Sequence, residues 1–111
     1  MIDEAPATVI LVRDLMFTSK IRAAAQSVGA PVRMLREPGQ LKGVAARRLI
    51  VDLNQVGALD AAVAWKGETG GEVIGFVSHV DTQTIQAARN AGIDQVMPRS
   101  RFVEVLPELL R

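Results

Sequence analysis

The feature that most constrains the fold is an uninterrupted apolar run that ends in an acid. Residues 48–54 read RLIVDLN. A strand that is covered by helices on both faces has a continuous run of Val, Ile and Leu, whereas a strand with one solvated face alternates. The run therefore predicts the central strand of an α/β sheet. Its acid, Asp52, would lie at the carboxyl end of that strand, where α/β sheets place their binding sites.

Apolar segments with strand or helix periodicity alternate along the rest of the chain. Further strands are expected at 8–12, 31–36, 72–78 and 93–97, and helices at 15–28, 40–46, 57–67, 81–91 and from Ser100 onward. Strands that alternate with helices at this spacing indicate a parallel sheet with helices on both faces. Right-handed crossovers then favour the doubly wound topology.

Several positions within these elements carry expectations of their own. Gly75, inside a strand, indicates close approach of a packed helix. Val63 is expected to face the core, and Trp65 and Phe102 are expected at half-buried positions. Pro107 should kink or split the last helix, because proline has no backbone donor.

Composition excludes several classes of protein and site. The chain has 111 residues, one histidine and no cysteine, so one domain without disulfides or thiolate metal sites is expected. We expect residues 1–7 to form a flexible lead-in and residues 8–111 the domain. The net charge of +1 gives no basis for binding nucleic acid or a membrane surface. No signal-peptide pattern or membrane-length apolar run is present, which favours a cytoplasmic protein.

The residues that follow four of the predicted strands should converge at one edge of the sheet. They are Arg13, Asp14, Asp52, Asn54, Ser78, His79, Met97, Pro98 and Arg99. Two acids, an amide, a hydroxyl and two arginines at one edge indicate a functional site, because ligands of open α/β sheets bind outside the carboxyl ends of the strands.

With these residues the chain resembles the receiver domains of two-component response regulators, over residues 8–111. The resemblance rests on Asp52, Asn54, Ser78 and Met97-Pro98. It implies a flavodoxin-like three-layer sandwich, with a five-stranded parallel sheet in the order 2-1-3-4-5. It also implies that Asp52 is the phosphoacceptor, that an acid pair after the first strand binds magnesium, and that a histidine kinase or downstream effector is the partner.

The chain departs from the receiver pattern at two defining positions. Met97 stands where the family has a lysine, and a thioether has neither charge nor donor. Arg13-Asp14 stands in place of the acid pair. If the length difference lies in the loop, Asp14 matches the second acid and Arg13 replaces the first; otherwise both acids are lost. Asp14 and Asp52 would then form at most a weak magnesium site, because Arg13 repels a dication.

Three functional hypotheses follow. The first is a pseudo-receiver, a stand-alone and non-enzymatic signalling or scaffold module in which Arg13 pairs with Asp52. It would act through protein partners or as a homodimer. The second is a working receiver in which Arg13 or Arg99 replaces the lysine, since guanidinium binds phosphate bidentately. The third is a small-molecule-binding flavodoxin-like domain, although no glycine-rich phosphate loop follows the first strand.

Each site residue also has a purely structural explanation. Asp52 would cap the helix that follows it, and Asn54 is a residue type that turns favour. Ser78 would cap a loop. His79 would be a solvated loop residue, and Met97 would fill the core.

Overall fold

The computed structural model describes residues 7–78 and 81–111. Five parallel strands form one sheet in the order β2-β1-β3-β4-β5. The strands are β1 Thr8–Leu11, β2 Val32–Leu35, β3 Arg48–Asp52, β4 Glu72–Val77 and β5 Gln95–Pro98, and the helices are α1 Leu15–Val28, α2 Ala58–Thr69, α3 Thr82–Asn90 and α4 Arg99–Leu109. The predicted flavodoxin-like topology is confirmed. His79 and, apart from Ala7, the predicted lead-in lie outside the described residues.

β3 is the central strand, as the apolar run predicts. It pairs with β1 on one side and β4 on the other. Leu49, Ile50 and Val51 have no exposed surface. Ile50 belongs to the apolar layer on one face of the sheet, and its two neighbours belong to the layer on the other face. Burial on both faces is therefore the reason that this run does not alternate.

Helices α1 and α4 cover one face of the sheet through an aromatic cluster. Phe76 of β4 stacks on Phe102 of α4, with ring centroids 4.6 Å apart. Phe17 of α1 meets the Phe76 ring edge-on at 5.2 Å. Helices α2 and α3 contribute Ala62, Trp65 and Ala88 to the layer on the opposite face. Both Phe102 and Trp65 are buried rather than half-buried.

The helix predicted at 40–46 is wrong. The connection between β2 and β3 contains only a single 3-10 turn, Pro38–Leu41. Gly43 has a φ of +77°, which lies in the left-handed region and ends any right-handed helix. The connection is nevertheless held on α2, because the indole Nε1 of Trp65 donates to the carbonyl oxygen of Val44 at 2.8 Å.

Helix α4 differs from its prediction at both ends. It begins at Arg99, with Pro98 rather than Ser100 as its N-terminal cap residue. Pro107 lies inside the helix, which continues to Leu109 without splitting. A proline this close to the C-terminus removes a single internal hydrogen bond, which the packed helix tolerates.

Two side-chain predictions in the middle of the chain are also wrong. Val63 is 37% exposed, because α2 turns Ala62 and Trp65 inward instead. Gly75 makes room for the side chain of Leu53, which follows β3, rather than for a helix. A Cβ atom there would lie 2.4 Å from Cδ1 of Leu53.

Within the described residues, no helix is long and apolar enough to cross a bilayer.

Candidate functional site

The carboxyl ends of β1, β2 and β3 surround an open depression of about 460 Å³. Six polar or charged residues line it: Arg13, Asp14, Glu37, Asp52, Asn54 and Gln55. Four of these are residues that the sequence places at the functional edge. The structure therefore brings together residues that are up to 42 positions apart in the chain, from position 13 to position 55.

Asp52 and Asn54 connect the end of β3 to the end of β4. The Oδ1 atom of Asp52, which is half-buried, accepts the backbone N–H of Asn54 at 3.0 Å. The Oδ1 atom of Asn54 accepts the backbone N–H of Ser78 at 2.6 Å. Asp52 thus stabilises the turn that follows it. It does not cap α2 as the structural explanation expected, because the cap residue of α2 is Gly57.

Asp14 is the N-terminal cap of α1. Its Oδ1 atom accepts the backbone N–H groups of Met16 at 2.9 Å and Phe17 at 3.2 Å. Its Oδ2 atom lies 3.5 Å from a guanidinium nitrogen of Arg99. These donors, the Phe17 N–H above all, hold the pKa of the Asp14 carboxyl below its usual value. Asp14 is therefore an anion whose oxygens already have partners.

Arg13 forms an ion pair with Glu37, at 3.4 Å, where the prediction had Asp52 as its partner. The strand order places two acids beside Arg13. β1 lies between β2 and β3, so a residue just after β1 has Glu37 on one side and Asp52 on the other. Both side chains of the pair are largely exposed. Exposed pairs of this kind contribute about 1 kcal/mol or less, so the Arg13 guanidinium is held only weakly.

The residues around the end of β5 do not line the depression, although Arg99 pairs with Asp14 at its rim. Arg99 stacks on Phe17, with its guanidinium carbon 3.7 Å from the ring centroid. Met97 packs, partly buried, against the aromatic layer under α1 and α4, as the core interpretation predicts. Every peptide bond among the described residues is trans, including that between Met97 and Pro98.

Glu37 and Gln55 are site residues that the sequence reasoning missed. The Gln55 side chain donates from Nε2 to the carbonyl oxygen of Arg36 at 2.7 Å. The Oε1 atoms of Glu37 and Gln55 are buried and accept no hydrogen bond from a described residue, although Oε1 of Glu37 is the atom in the ion pair with Arg13. Glu37 follows β2, and the predicted site draws on the ends of the other four strands alone. Including that strand would have identified it.

The balance of charge in the depression is acidic. Asp14, Glu37 and Asp52 carry three negative charges, and Arg13 carries one positive charge. Within the described residues, no three His, Asp or Glu side chains are grouped so as to hold a metal ion. Magnesium requires carboxylate oxygens that are free to complete an octahedron. Asp14 fits that role poorly, because Oδ1 caps α1 and the Arg99 guanidinium beside Oδ2 repels a dication.

No family model matches this sequence, and neither does any curated protein. The structure itself matches solved receiver domains. This chain has the receiver fold. A CheY-like receiver protein from Methanospirillum hungatei JF-1 has a TM-score of 0.78 and 13% identity, and the match covers 96% of this chain and 94% of the other.

Two further receiver structures show the same likeness. The BeF3-activated DrrB receiver domain has a TM-score of 0.80 and 14% identity, with 96% of this chain and 94% of the other covered. The phosphorylated cyanobacterial phytochrome response regulator RcpA has a TM-score of 0.79 and 9% identity, with 96% and 91% covered. Identities this low establish the receiver fold and nothing finer.

Proposed function

We propose that this chain is a receiver-like signalling or scaffold module that acts by protein–protein contact, with the usual aspartyl phosphorylation lost or altered. Its partner would be a kinase or an effector of a signalling pathway. The observation that supports this proposal most directly is Met97. It lies in the apolar layer beside the aromatic cluster, at the position where the receiver resemblance leads us to expect a lysine.

The electrostatics of the depression support the same proposal. Phosphoryl transfer to a carboxylate relies on positive charge beside the phosphoryl oxygens. The depression instead offers three carboxylates and one guanidinium. A phosphoryl donor that approaches Asp52 therefore meets net negative charge. No lysine lines the depression, and Arg99 pairs with Asp14, the remaining candidate acid for holding a neutralising magnesium ion.

Incubation with acetyl phosphate and magnesium tests the proposal. We expect intact-protein mass spectrometry to show no stoichiometric phosphoryl adduct on the native chain. An adduct that disappears in Asp52→Ala but persists in Asp60→Ala would overturn it. Asp60 is the matched control because it is an exposed aspartate on α2, outside the depression.

A working receiver that relies on Arg13 is the second candidate. It is favoured by the position of Arg13, which lines the same depression as Asp52 and, among the described residues, has only its pair with Glu37 to give up. Arg99 is less suited to the role, because Asp14 and the Phe17 ring already hold it.

Beryllofluoride binding distinguishes the second candidate from the first. If Arg13 supplies the missing charge, beryllofluoride should shift the NMR signals of residues around Asp52. Arg13→Ala should abolish that shift, and Arg22→Ala, which removes an exposed arginine elsewhere on the chain, should not. A native chain whose spectrum does not change with beryllofluoride would eliminate this candidate.

A further inference from the structure

A second concave surface lies on the opposite side of the sheet from the aromatic cluster, and we call it the α2 groove. One wall is the connection after β2, with Leu41 and Lys42. The other wall is α2, with Ala61, Ala64 and Glu68, and the floor is Trp65. The groove encloses about 210 Å³. It adjoins the depression around Asp52 at Pro38, which lines both, whereas none of the other six groove residues lines the depression.

The floor of the groove is apolar and rigid. Trp65 is 3% exposed, and its only polar atom already donates to Val44. Gly71 packs against the indole ring so closely that a Cβ atom there would lie 2.3 Å from it. This contact restricts the position of the ring. The floor therefore favours contact with an apolar group, because the indole N–H of Trp65 already has its acceptor.

The groove stays open because one wall is a short connection and the other presents small side chains. The connection after β2 has one 3-10 turn instead of a helix. Ala61 and Ala64 are three residues apart, so their short side chains face the same way on α2. Small-molecule sites typically enclose about 300–1,000 Å³. At about 210 Å³ the groove instead has the size of one large apolar side chain.

Opposite charges stand on the two walls. Lys42 and Glu68 are exposed, and neither forms an ion pair with another described residue. Lys66, on the same helix, does pair, with Asp94 at 2.8 Å. The walls thus offer one free cation and one free anion beside an apolar floor. Complementary charges of this kind set the orientation of a partner more than its affinity.

We infer that the α2 groove docks a peptide segment of a partner protein, in which one large apolar side chain is flanked by an acid and a base. The apolar side chain packs on Trp65, the acid faces Lys42 and the base faces Glu68. This inference rests on the proposed function as a protein-binding module and names the surface through which it acts.

Selection from a displayed library of random linear peptides on the full chain tests the inference. We expect enriched peptides to share a Leu, Ile, Phe or Trp between an acid and a base. Trp65 is the only tryptophan, so its emission reports on the groove directly when such a peptide is titrated in.

Three variants locate the binding. Ala64→Glu places a charged side chain in the groove at an exposed position and should weaken the selected peptide by about tenfold or more. Ala23→Glu is the matched control on α1, where an equally exposed alanine lies outside the groove, and should leave affinity unchanged. The double variant Lys42→Glu with Glu68→Lys should favour the peptide with its acid and base exchanged.

Several outcomes would overturn the inference. These are selection without a consensus, binding that Ala64→Glu does not weaken, or a charge exchange without effect. Sedimentation that shows a homodimer dissociated by Ala64→Glu would assign the groove to a second copy instead. All these outcomes leave the acetyl phosphate result untouched, so failure here and failure of the proposed function are distinguishable.

Discussion

At the scale of single residues, Asn54 is the link on which the candidate site depends. Its backbone N–H donates to Asp52, and its side-chain oxygen accepts from the Ser78 N–H. One amide side chain therefore holds the end of β4 next to the acid at the end of β3. A residue of this kind positions others without needing to touch a ligand.

Replacement of Asn54 by alanine should free the Ser78 amide. We expect hydrogen exchange at Ser78 to accelerate in Asn54→Ala, because the N–H loses its acceptor. Asn54→Asp is the matched control, since a carboxylate oxygen in the same place still accepts that bond. Unchanged exchange in Asn54→Ala would show that the 2.6 Å contact does not hold the loop in solution.

The residues of the site could be predicted from the sequence better than their contacts. Asp14, Asp52 and Asn54 follow strands, and strand ends converge in any parallel sheet. The partners of Asp14 and Arg13 could not be read in that way. Capping depends on where α1 begins to within one residue, and the partner of Arg13 depends on which neighbouring strand its flexible side chain reaches.

At the scale of the elements, the packing of β4 against the end of β3 sets a strict limit on side-chain size. Leu53 lies over Gly75 and leaves no space for a Cβ atom. Gly67, on α2, has nothing within 4 Å of the same hypothetical atom, and its φ is not positive. Replacement of these two glycines by alanine should therefore change the stability of the protein in opposite directions.

Gly75→Ala should destabilise the protein by about 1–3 kcal/mol, the usual cost of overpacking a core. Gly67→Ala should stabilise it by about 0.5–1 kcal/mol, because alanine is the better helix former and meets no neighbour. Urea unfolding of both variants measures the difference. If Gly75→Ala were as stable as the native chain, Leu53 would have to move freely, and the turn after Asp52 would not be rigid.

The elements themselves were largely predictable, with one instructive exception. The three inner strands, β1, β3 and β4, follow from apolar runs, because burial on both faces leaves an unbroken pattern. The edge strands β2 and β5 have exposed positions and a weaker pattern. The helix at 40–46 was predicted with Leu41, Val44 and Ala45 facing inward; the first two are buried, and Ala45 is exposed. Two inward side chains fit a turn as well as a helix, and the conformation of Gly43 decided between them.

At the scale of the whole molecule, two carboxylates tie separate parts of the chain together. Asp14 caps α1 and pairs with Arg99 of α4. Asp94, just before β5, accepts from Lys66 of α2 at 2.8 Å and from the Val73 N–H of β4 at 2.7 Å. The Lys66 hydrogen bond, foremost, lowers the pKa of Asp94.

Stability should therefore fall on the acid side. A carboxyl whose pKa is lowered by folding stabilises the native state above its unfolded value of about 3.9, and this contribution is lost as pH falls through the lowered folded value. Urea midpoints measured from neutral to strongly acidic pH should decline below about pH 4. Asp94→Asn should flatten that decline.

Glu68→Gln is the control for this pH dependence, since Glu68 is exposed and forms no ion pair with the described residues. It should leave the acid decline as steep as in the native chain. Equal declines in the native protein and in Asp94→Asn would mean that the Lys66 contact contributes nothing to acid stability.

Helix α4 is supported at both of its ends. At its first residue, Arg99 is gripped by Asp14 and the Phe17 ring. At its last residue, the Leu109 carbonyl oxygen accepts from Arg48, which also bonds Glu72 at 3.0 Å. In mechanical terms it is a beam on two bearings. A binding event that draws Asp14 away from Arg99 would remove the bearing at the start of the helix, and the load would pass to Phe102 and Leu106, which are buried against the sheet.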